Sequence, residues 1–168
     1  VGLLIDGLTS VMLIVVTLVS LMVQIYSQGY MHGDAGYIRY YAFMSLFTTF
    51  MLVLVTSNNL LFMYLGWEGV GLCSYLLIGF WFHGRPGAKP GDSIGFNAPA
   101  NAAKKAFLVT RLGDVGFLLA ILYLFSKTGT FNIEALGQAG AVTGVVATLA
   151  ALGIFAGAAG KSAQFPLH

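Results

Sequence analysis

Residues 60–82 read LLFMYLGWEGVGLCSYLLIGFWF, an apolar stretch whose only charged side chain is Glu68. A helix rises about 1.5 Å per residue and the hydrocarbon core of a bilayer is about 30 Å thick, so this stretch can cross a membrane as one helix. Four other apolar stretches have similar lengths, and the predicted spans are 3–26, 40–57, 60–82, 103–125 and 142–164. The sequence therefore predicts an all-α, polytopic transmembrane helix bundle, with the last span interrupted between Gly160 and Pro166.

The composition excludes a soluble globular domain. Of the 168 residues, 58% are hydrophobic and 8% are charged, against about 45–50% and about 25% in soluble domains. The few basic residues form no stripe, which excludes a nucleic-acid-binding surface. The single cysteine, Cys73, excludes a disulfide framework within the chain. No cluster of Cys and His has ligand spacing, so the sequence predicts no cofactor and no metal on this chain.

The segments between the spans are polar or rich in helix-breaking residues. Ser57, Asn58 and Asn59 predict a tight turn between the second and third spans, and Asp6 is expected to cap the first. Residues 83–101 contain repeated glycine and proline and are predicted to form an extramembrane loop. A short interfacial helix is predicted between the fourth and fifth spans. The chain starts without Met and stops inside an apolar stretch, so it is expected to be a fragment.

Basic residues indicate how the bundle is oriented in the membrane. The loops at one face carry five of them and those at the other carry one, Lys127; the five are Arg39, Arg85, Lys89, Lys104 and Lys105. Cytoplasmic loops of membrane proteins carry an excess of Lys and Arg. The face that carries five basic residues is therefore predicted to be the cytoplasmic or matrix side.

Glu68 stands out because it lies in the middle of the third span. A carboxylate at that depth costs about 2.5–3.5 kcal/mol on insertion scales, so an ionisable residue there is by default a functional hypothesis. Tyr64 and Tyr75 share its helix face and their hydroxyls could donate to it, while Gly71 and Gly79 would let another helix approach closely. The alternative is a protonated Glu68 that only joins two helices.

The fourth span carries Arg111 and Asp114, three residues apart and therefore on one helix face. One interpretation is that they form an ion pair with a structural role and take no part in transport. Lys104 lies on the same side about 10 Å along the axis. Together the three residues predict a polar stripe that runs from the inner surface to the middle of the membrane.

Lys161 in the fifth span has two interpretations. At the end of a straight helix it would lie near an interface, where a lysine is ordinary. Alternatively, Gly160 and Pro166 interrupt the helix and place Lys161 at a cavity inside the membrane. His168, just beyond, is a candidate relay. Trp67 and the other aromatic residues are interpreted as packing or interfacial belt residues.

Three stretches then show a resemblance in the same order: LGWEGVGLCSYLLIGFW at 65–81, KAFLVTRLGD at 105–114 and FAGAAGKSAQFPLH at 155–168. They are similar to chain 5, or subunit L, the antiporter-like membrane subunit of respiratory complex I, the proton-translocating NADH:quinone oxidoreductase. The resemblance covers almost the whole chain and implies that residues 1–168 are part of an antiporter-like transmembrane domain.

The resemblance also implies roles for individual residues. The positions of Glu68 and Lys161 hold the central proton-transfer pair of that family. The helix that carries the lysine is the seventh of the family and is broken around it, and Arg111 and Asp114 match charged family positions. Burial disfavours both charged forms of such a pair and proximity favours them, so a change in separation can move a proton on or off the lysine. Water with Tyr64 or Tyr75 would complete the path.

The resemblance further implies where the chain works. Its partners would be other complex I membrane subunits and the lipid bilayer, with NADH, flavin, iron–sulfur and quinone sites on other subunits. The expected location is a bacterial inner membrane, or alternatively a mitochondrial inner membrane or a thylakoid. Two other functions stay open: a subunit of a multisubunit cation/proton antiporter, and a structural bundle whose buried charges serve only assembly.

Overall fold

The computed structural model describes residues 2–82, 98–138, 140 and 142–165. Within this part of the chain six helices form: α1 Gly7–Tyr30, α2 Tyr37–Thr56, α3 Leu60–Ile78, α4 Ala98–Thr128, α5 Ile133–Gln138 and α6 Gly144–Lys161. All of these except the short α5 are long and apolar enough to cross a membrane. The predicted all-α bundle with five spans is therefore confirmed.

Helix ends differ from the predicted bounds where local chemistry overrides the apolar pattern. Helix α4 begins at Ala98 rather than at 103. Pro99 lies in its first turn, and proline is tolerated there because N–H groups of the first turn form no hydrogen bond within the helix. Residues 98–101 of the predicted loop are thus helical, and residues 83–97 lie outside the described part. Helix α3 ends at Ile78 rather than at 82, with Gly79 as its C-cap.

Two of the helices, α1 and α3, begin with a side-chain cap. Asp6 precedes α1 and its Oδ1 accepts a hydrogen bond from the Thr9 N–H at 2.7 Å, which lowers the pKa of the Asp6 carboxyl. Asn59 precedes α3 and its Oδ1 accepts from the backbone of Leu61 and Phe62. Both the cap at Asp6 and the tight turn at 57–59 are confirmed.

Backbone hydrogen bonds fasten α5 to the turn between α2 and α3. The Leu60 N–H donates to the Phe131 carbonyl at 2.8 Å, and the Ile133 N–H donates to the Asn58 carbonyl at 2.9 Å. The short helix predicted between the fourth and fifth spans is therefore present, and it lies at the end of the bundle where α3 begins. We refer to this end as the outer end and to the opposite one, which holds Arg39 and Lys104, as the inner end.

Helix α4 packs most extensively against α6, and α3 packs against both α2 and α4. Glycine allows the closest approaches. A Cβ atom on Gly113 would lie 2.6 Å from the Ala156 carbonyl oxygen, and one on Gly66 would lie 2.8 Å from the Leu54 backbone nitrogen. Contacts of this kind are how small residues bring membrane helices together.

The two sides of α4 differ sharply in exposure. Gly113, Asp114 and Phe117 are buried in the bundle, whereas Leu112 and Val115 are exposed. Exposed leucine and valine on a membrane span suit an apolar surrounding, and lipid is as apolar as they are. Asp114 therefore lies on the face that points into the protein.

Candidate functional site

Four charged side chains from three helices come together halfway along α3. They are Glu68 of α3, Arg111 and Asp114 of α4, and Lys161 of α6, and we call them the charge cluster. Two acids and two bases give a formal charge of zero. Such a balance is needed because an uncompensated charge is costly at this depth.

Glu68 and Arg111 form an ion pair that joins α3 to α4. Their side chains are 18% and 35% exposed, so the pair is only partly desolvated. The Arg111 guanidinium also lies over the ring of Phe107, 4.4 Å from its centroid, a favourable cation–π geometry. Within the described residues this is the only ion pair.

Arg111 and Asp114 do not form the ion pair that the sequence left open as one interpretation. Asp114 is only 2% exposed, and its Oδ1 accepts a hydrogen bond from Trp67 Nε1 at 2.6 Å. The Tyr64 hydroxyl reaches the Asp114 backbone carbonyl at 3.5 Å. The two charged residues share one helix face, but each finds a different partner on α3.

Lys161 is bound to the backbone of α3. Its Nζ donates to the Trp67 carbonyl oxygen at 2.7 Å and lies 4.6 Å from the centroid of the Trp67 ring. A Cβ atom on Gly71 would come within 3.3 Å of that Nζ. Gly71 thus leaves room for the ammonium group to reach a carbonyl one turn earlier in α3.

The contact with Gly71 settles the depth of Lys161 relative to α3. At 1.5 Å per residue, Gly71 lies about 16 Å from Leu60 and about 10 Å from Ile78 along the helix axis. Helix α6 ends at Lys161, so it stops beside the interior of α3 and not at its inner end. The interpretation that places Lys161 inside the membrane is the one this geometry supports.

The end of α6 is closed by a Schellman-type cap. The Gln164 N–H donates to the Ala159 carbonyl at 3.0 Å, and the Ser162 N–H donates to the Ala158 carbonyl at 3.0 Å. Ala163, between them, has a φ of 51°, where glycine is the usual residue. The two hydrogen bonds satisfy carbonyl groups that would otherwise be orphaned beside the charge cluster.

Replacing Ala163 with Gly is expected to stabilise the protein by about 1 kcal/mol, because an L-residue pays roughly that much in the left-handed region. Ala163 is exposed and loses no packing. Thermal unfolding of the detergent-solubilised full-length subunit would measure the change. The matched control is Ala151→Gly, at an exposed helical position of α6, which should destabilise by a similar amount. Equal shifts of the same sign in both variants would contradict this account of the cap.

Glu68 and Lys161 are close in the fold without being paired. Lys161 binds the carbonyl of Trp67, the residue before Glu68, while the Glu68 carboxylate binds Arg111. In the described part of the chain no ion pair joins Lys161 to a carboxylate.

Lys104 and Tyr75 lie apart from the charge cluster. Both line a cavity at the inner end of the bundle, together with Arg39. The Tyr75 ring packs on Phe107, with centroids 5.2 Å apart, and Phe107 is also the ring beneath Arg111. His168 lies outside the described residues, so its predicted relay role stays a prediction. Among the described residues no group of three or more His, Cys, Asp or Glu could hold a metal ion.

Trp67 is the site residue that the sequence interpretation missed. The sequence predicts packing or an interfacial belt for Trp67, but its carbonyl accepts a hydrogen bond from Lys161 and its indole N–H donates to Asp114. Its ring packs nearly perpendicular to that of Phe117. The available signal was its depth. A tryptophan next to Glu68 in mid-span is too deep for a belt residue, and its N–H needs a partner when buried.

Comparisons with known proteins agree with the three stretches that carry the resemblance. Residues 57–168 match the family model for the transmembrane region of NADH:quinone oxidoreductase/Mrp antiporters. Residues 1–41 match the model for the N-terminus of chain 5 of NADH-ubiquinone oxidoreductase, complex I. The two matches cover most of the described helices, including every residue of the charge cluster.

Several curated relatives align with nearly the entire chain. The chloroplastic NAD(P)H-quinone oxidoreductase subunit 5 of Carpenteria californica is 51% identical over 99% of this chain. The corresponding subunit of Marchantia polymorpha is 49% identical over 100% of it. The NAD(P)H-quinone oxidoreductase chain 5 of Synechocystis sp. is 45% identical over 99% of it. This chain covers only 22% to 24% of the length of these three relatives.

Proposed function

Because the chain belongs to the NADH:quinone oxidoreductase/Mrp antiporter transmembrane family, we propose that it is part of a proton-translocating membrane subunit of an NAD(P)H-quinone oxidoreductase. Its charged residues carry protons, coupled to electron transfer on other subunits of the complex. Relatives from chloroplasts and a cyanobacterium support a thylakoid or bacterial membrane as its location.

The observation that carries the proposal is the charge cluster itself. Four ionisable side chains from three helices meet in the interior of a bundle whose outer surface is apolar. A structural contact between two helices needs one hydrogen bond, whereas a proton path needs several groups that can exchange charge within reach of each other. Ionisable residues inside membrane bundles mark such paths.

In the proposed mechanism Glu68 alternates between two cations. When its carboxylate turns toward Lys161, the nearby negative charge stabilises the ammonium form and the lysine takes up a proton. When it returns to Arg111, Lys161 keeps only the Trp67 carbonyl and ring, and it releases the proton onward. The contacts of Glu68 with Arg111 and of Lys161 with Trp67 are the ones that the second state requires.

Other predicted residues have positions that suit supporting roles. Asp114 fixes Trp67 through the indole N–H, and Tyr64 reaches the backbone of Asp114. Tyr64 is therefore the better-placed tyrosine for a relay beside the charge cluster. Lys104 and Tyr75 line the inner-end cavity, where protons would enter or leave the bundle. His168 stays a candidate relay from the sequence alone.

A second candidate is a subunit of a multisubunit cation/proton antiporter, since the description of the matching family model names both kinds of protein. The match of residues 1–41 to chain 5 of complex I and the names of the relatives favour the oxidoreductase. Both functions would use the same acid and lysine. They differ in the energy source for proton movement, which is electron transfer in the oxidoreductase and an ion gradient in the antiporter.

The test uses membranes of the source organism with the full-length subunit affinity-tagged. Quinone-reductase subunits are expected to copurify, and inverted vesicles are expected to take up protons on addition of NAD(P)H or another electron donor of the complex, measured by quenching of a pH-sensitive dye. Quinone-site inhibitors should abolish the signal. Copurification of small antiporter subunits, with sodium-dependent exchange that needs no electron donor, would reject the oxidoreductase in favour of the antiporter.

A further inference from the structure

A cavity of about 160 Å³ lies at the inner end of the bundle, between α2, α3 and α4. Tyr75, Leu76 and Gly79 from the last turns of α3 form one wall, and α2 and α4 flank them. Most of the lining is aromatic or aliphatic. The exceptions are two cationic side chains, Arg39 from α2 and Lys104 from α4.

Neither cation has an acidic partner in the described part of the chain, where the only ion pair is the one between Glu68 and Arg111. The described acid on the α1–α2 connection, Asp34, is already engaged: its Oδ1 accepts from the Gly36 N–H at 2.6 Å and its Oδ2 accepts from Trp81 Nε1 at 3.1 Å. The cavity is therefore lined by two cationic side chains, neither of which forms an ion pair with a described acid.

Among the described residues, the contacts that hold Arg39 leave most of its N–H donors without a partner. Its Nη2 donates to the Phe80 carbonyl at 3.2 Å, and its guanidinium carbon lies 4.8 Å from the centroid of the Phe80 ring. A guanidinium has five N–H donors in a planar fork that suits phosphate oxygens. Lys104 is exposed at the rim and adds a mobile point charge. Arg39 would thus bind a phosphate from a fixed position, and the flexible Lys104 side chain would adjust to it.

We propose that this cavity binds the phosphate headgroup of an anionic membrane lipid. The inner end is the face with the excess of basic residues, which places the cavity at the leaflet where anionic lipids accumulate. Its volume of about 160 Å³ is well above the ~10–15 Å³ that holds one water on the same measure, so a phosphate group fits. The aromatic and aliphatic walls would contact the start of the acyl chains. This proposal does not depend on the proton-transfer proposal.

The experiment uses the full-length subunit in its intact complex, reconstituted into phosphatidylcholine nanodiscs. A small fraction of the lipid is phosphatidylglycerol with a photoactivatable diazirine near the glycerol, and a parallel sample carries the same diazirine on phosphatidylcholine. After illumination, mass spectrometry of peptides locates the label. The phosphatidylglycerol probe is expected to label the inner-end peptides of α2 and α4 well above the phosphatidylcholine probe.

Lys104→Gln should weaken this labelling about five-fold, and Arg39→Gln in addition should weaken it by about five-fold again. The single Lys104 variant is expected to fold normally, because that side chain is exposed and forms no ion pair among the described residues. The matched control is Lys105→Gln, which removes the same charge one residue away and outside the cavity lining; its labelling should equal that of the unmodified subunit. Equal labelling by the two probes, unchanged labelling in the double variant, or complete competition by inorganic phosphate would each overturn a lipid site.

Discussion

Glu68→Gln in the full-length subunit is expected to lower electron-transfer-driven proton uptake by about a hundred-fold, the low end of what a positioned proton-transfer group contributes. Glutamine keeps the shape of the side chain but cannot alternate between Arg111 and Lys161 as an anion. It also leaves the Arg111 guanidinium without its carboxylate partner. Proton uptake into inverted vesicles, divided by the amount of assembled complex on native gels, measures the effect.

Two further variants separate proton transfer from assembly. Glu134→Gln is the matched control, since Glu134 is exposed on α5 at the outer end, and it should pump normally. The double variant with Glu68→Gln and Arg111→Gln restores charge balance between α3 and α4. If the ion pair only held the helices together, the double variant would recover both assembly and pumping. Recovered pumping would therefore support the structural bundle and reject proton transfer by Glu68.

The five spans were predictable because membrane insertion depends on local composition and length. A run of apolar residues that satisfies its own backbone hydrogen bonds as a helix needs little information from the remainder of the chain. Helix ends were less predictable. Pro99 looked like a helix breaker in a Gly- and Pro-rich segment, whereas a proline in the first turn starts α4.

The site was predictable as a set of charges but not as a set of contacts. Depth alone singled out Glu68 and Asp114, because each lies far from both ends of its span. Helical periodicity assigns a residue to a face of its own helix and does not say which neighbour covers that face. Arg111 could have reached Asp114 within α4, and only the packing of α3 on α4 shows that it reaches Glu68 instead.

The position of Lys161 depends on the packing of α6 against α4, which no local pattern contains. Gly160 of α6 lies against Gly113 of α4, and Gly157 lies against Phe117. These contacts fix how far α6 slides along α4 and hence bring Lys161 level with Gly71. The same alanine- and glycine-rich ending would lie near an interface if α6 were shifted by two turns.

Gly113→Ala is consequently expected to destabilise the subunit and to impair pumping. The new Cβ would lie 2.6 Å from the Ala156 carbonyl oxygen and 3.1 Å from the Gly160 Cα. Both are backbone atoms, so the clash is relieved only if the backbone of α6 moves. Overpacking of this kind costs about 1–3 kcal/mol, more than the gain of about 1 kcal/mol from replacing a helical glycine. Because Lys161 follows Gly160, the shift should also lengthen its 2.7 Å hydrogen bond to the Trp67 carbonyl.

The matched control is Gly29→Ala in α1, where a Cβ atom would meet nothing within 4 Å. It receives the helix-propensity gain without a clash and should be neutral or slightly more stable, with normal pumping. Thermal unfolding of each solubilised complex, followed with a fluorescent tag on the subunit, gives the stability, and dye quenching gives the pumping. If the Gly113 variant is as stable and active as the Gly29 variant, α4 and α6 are not in backbone contact. The depth assigned to Lys161 depends on that contact and would then be wrong.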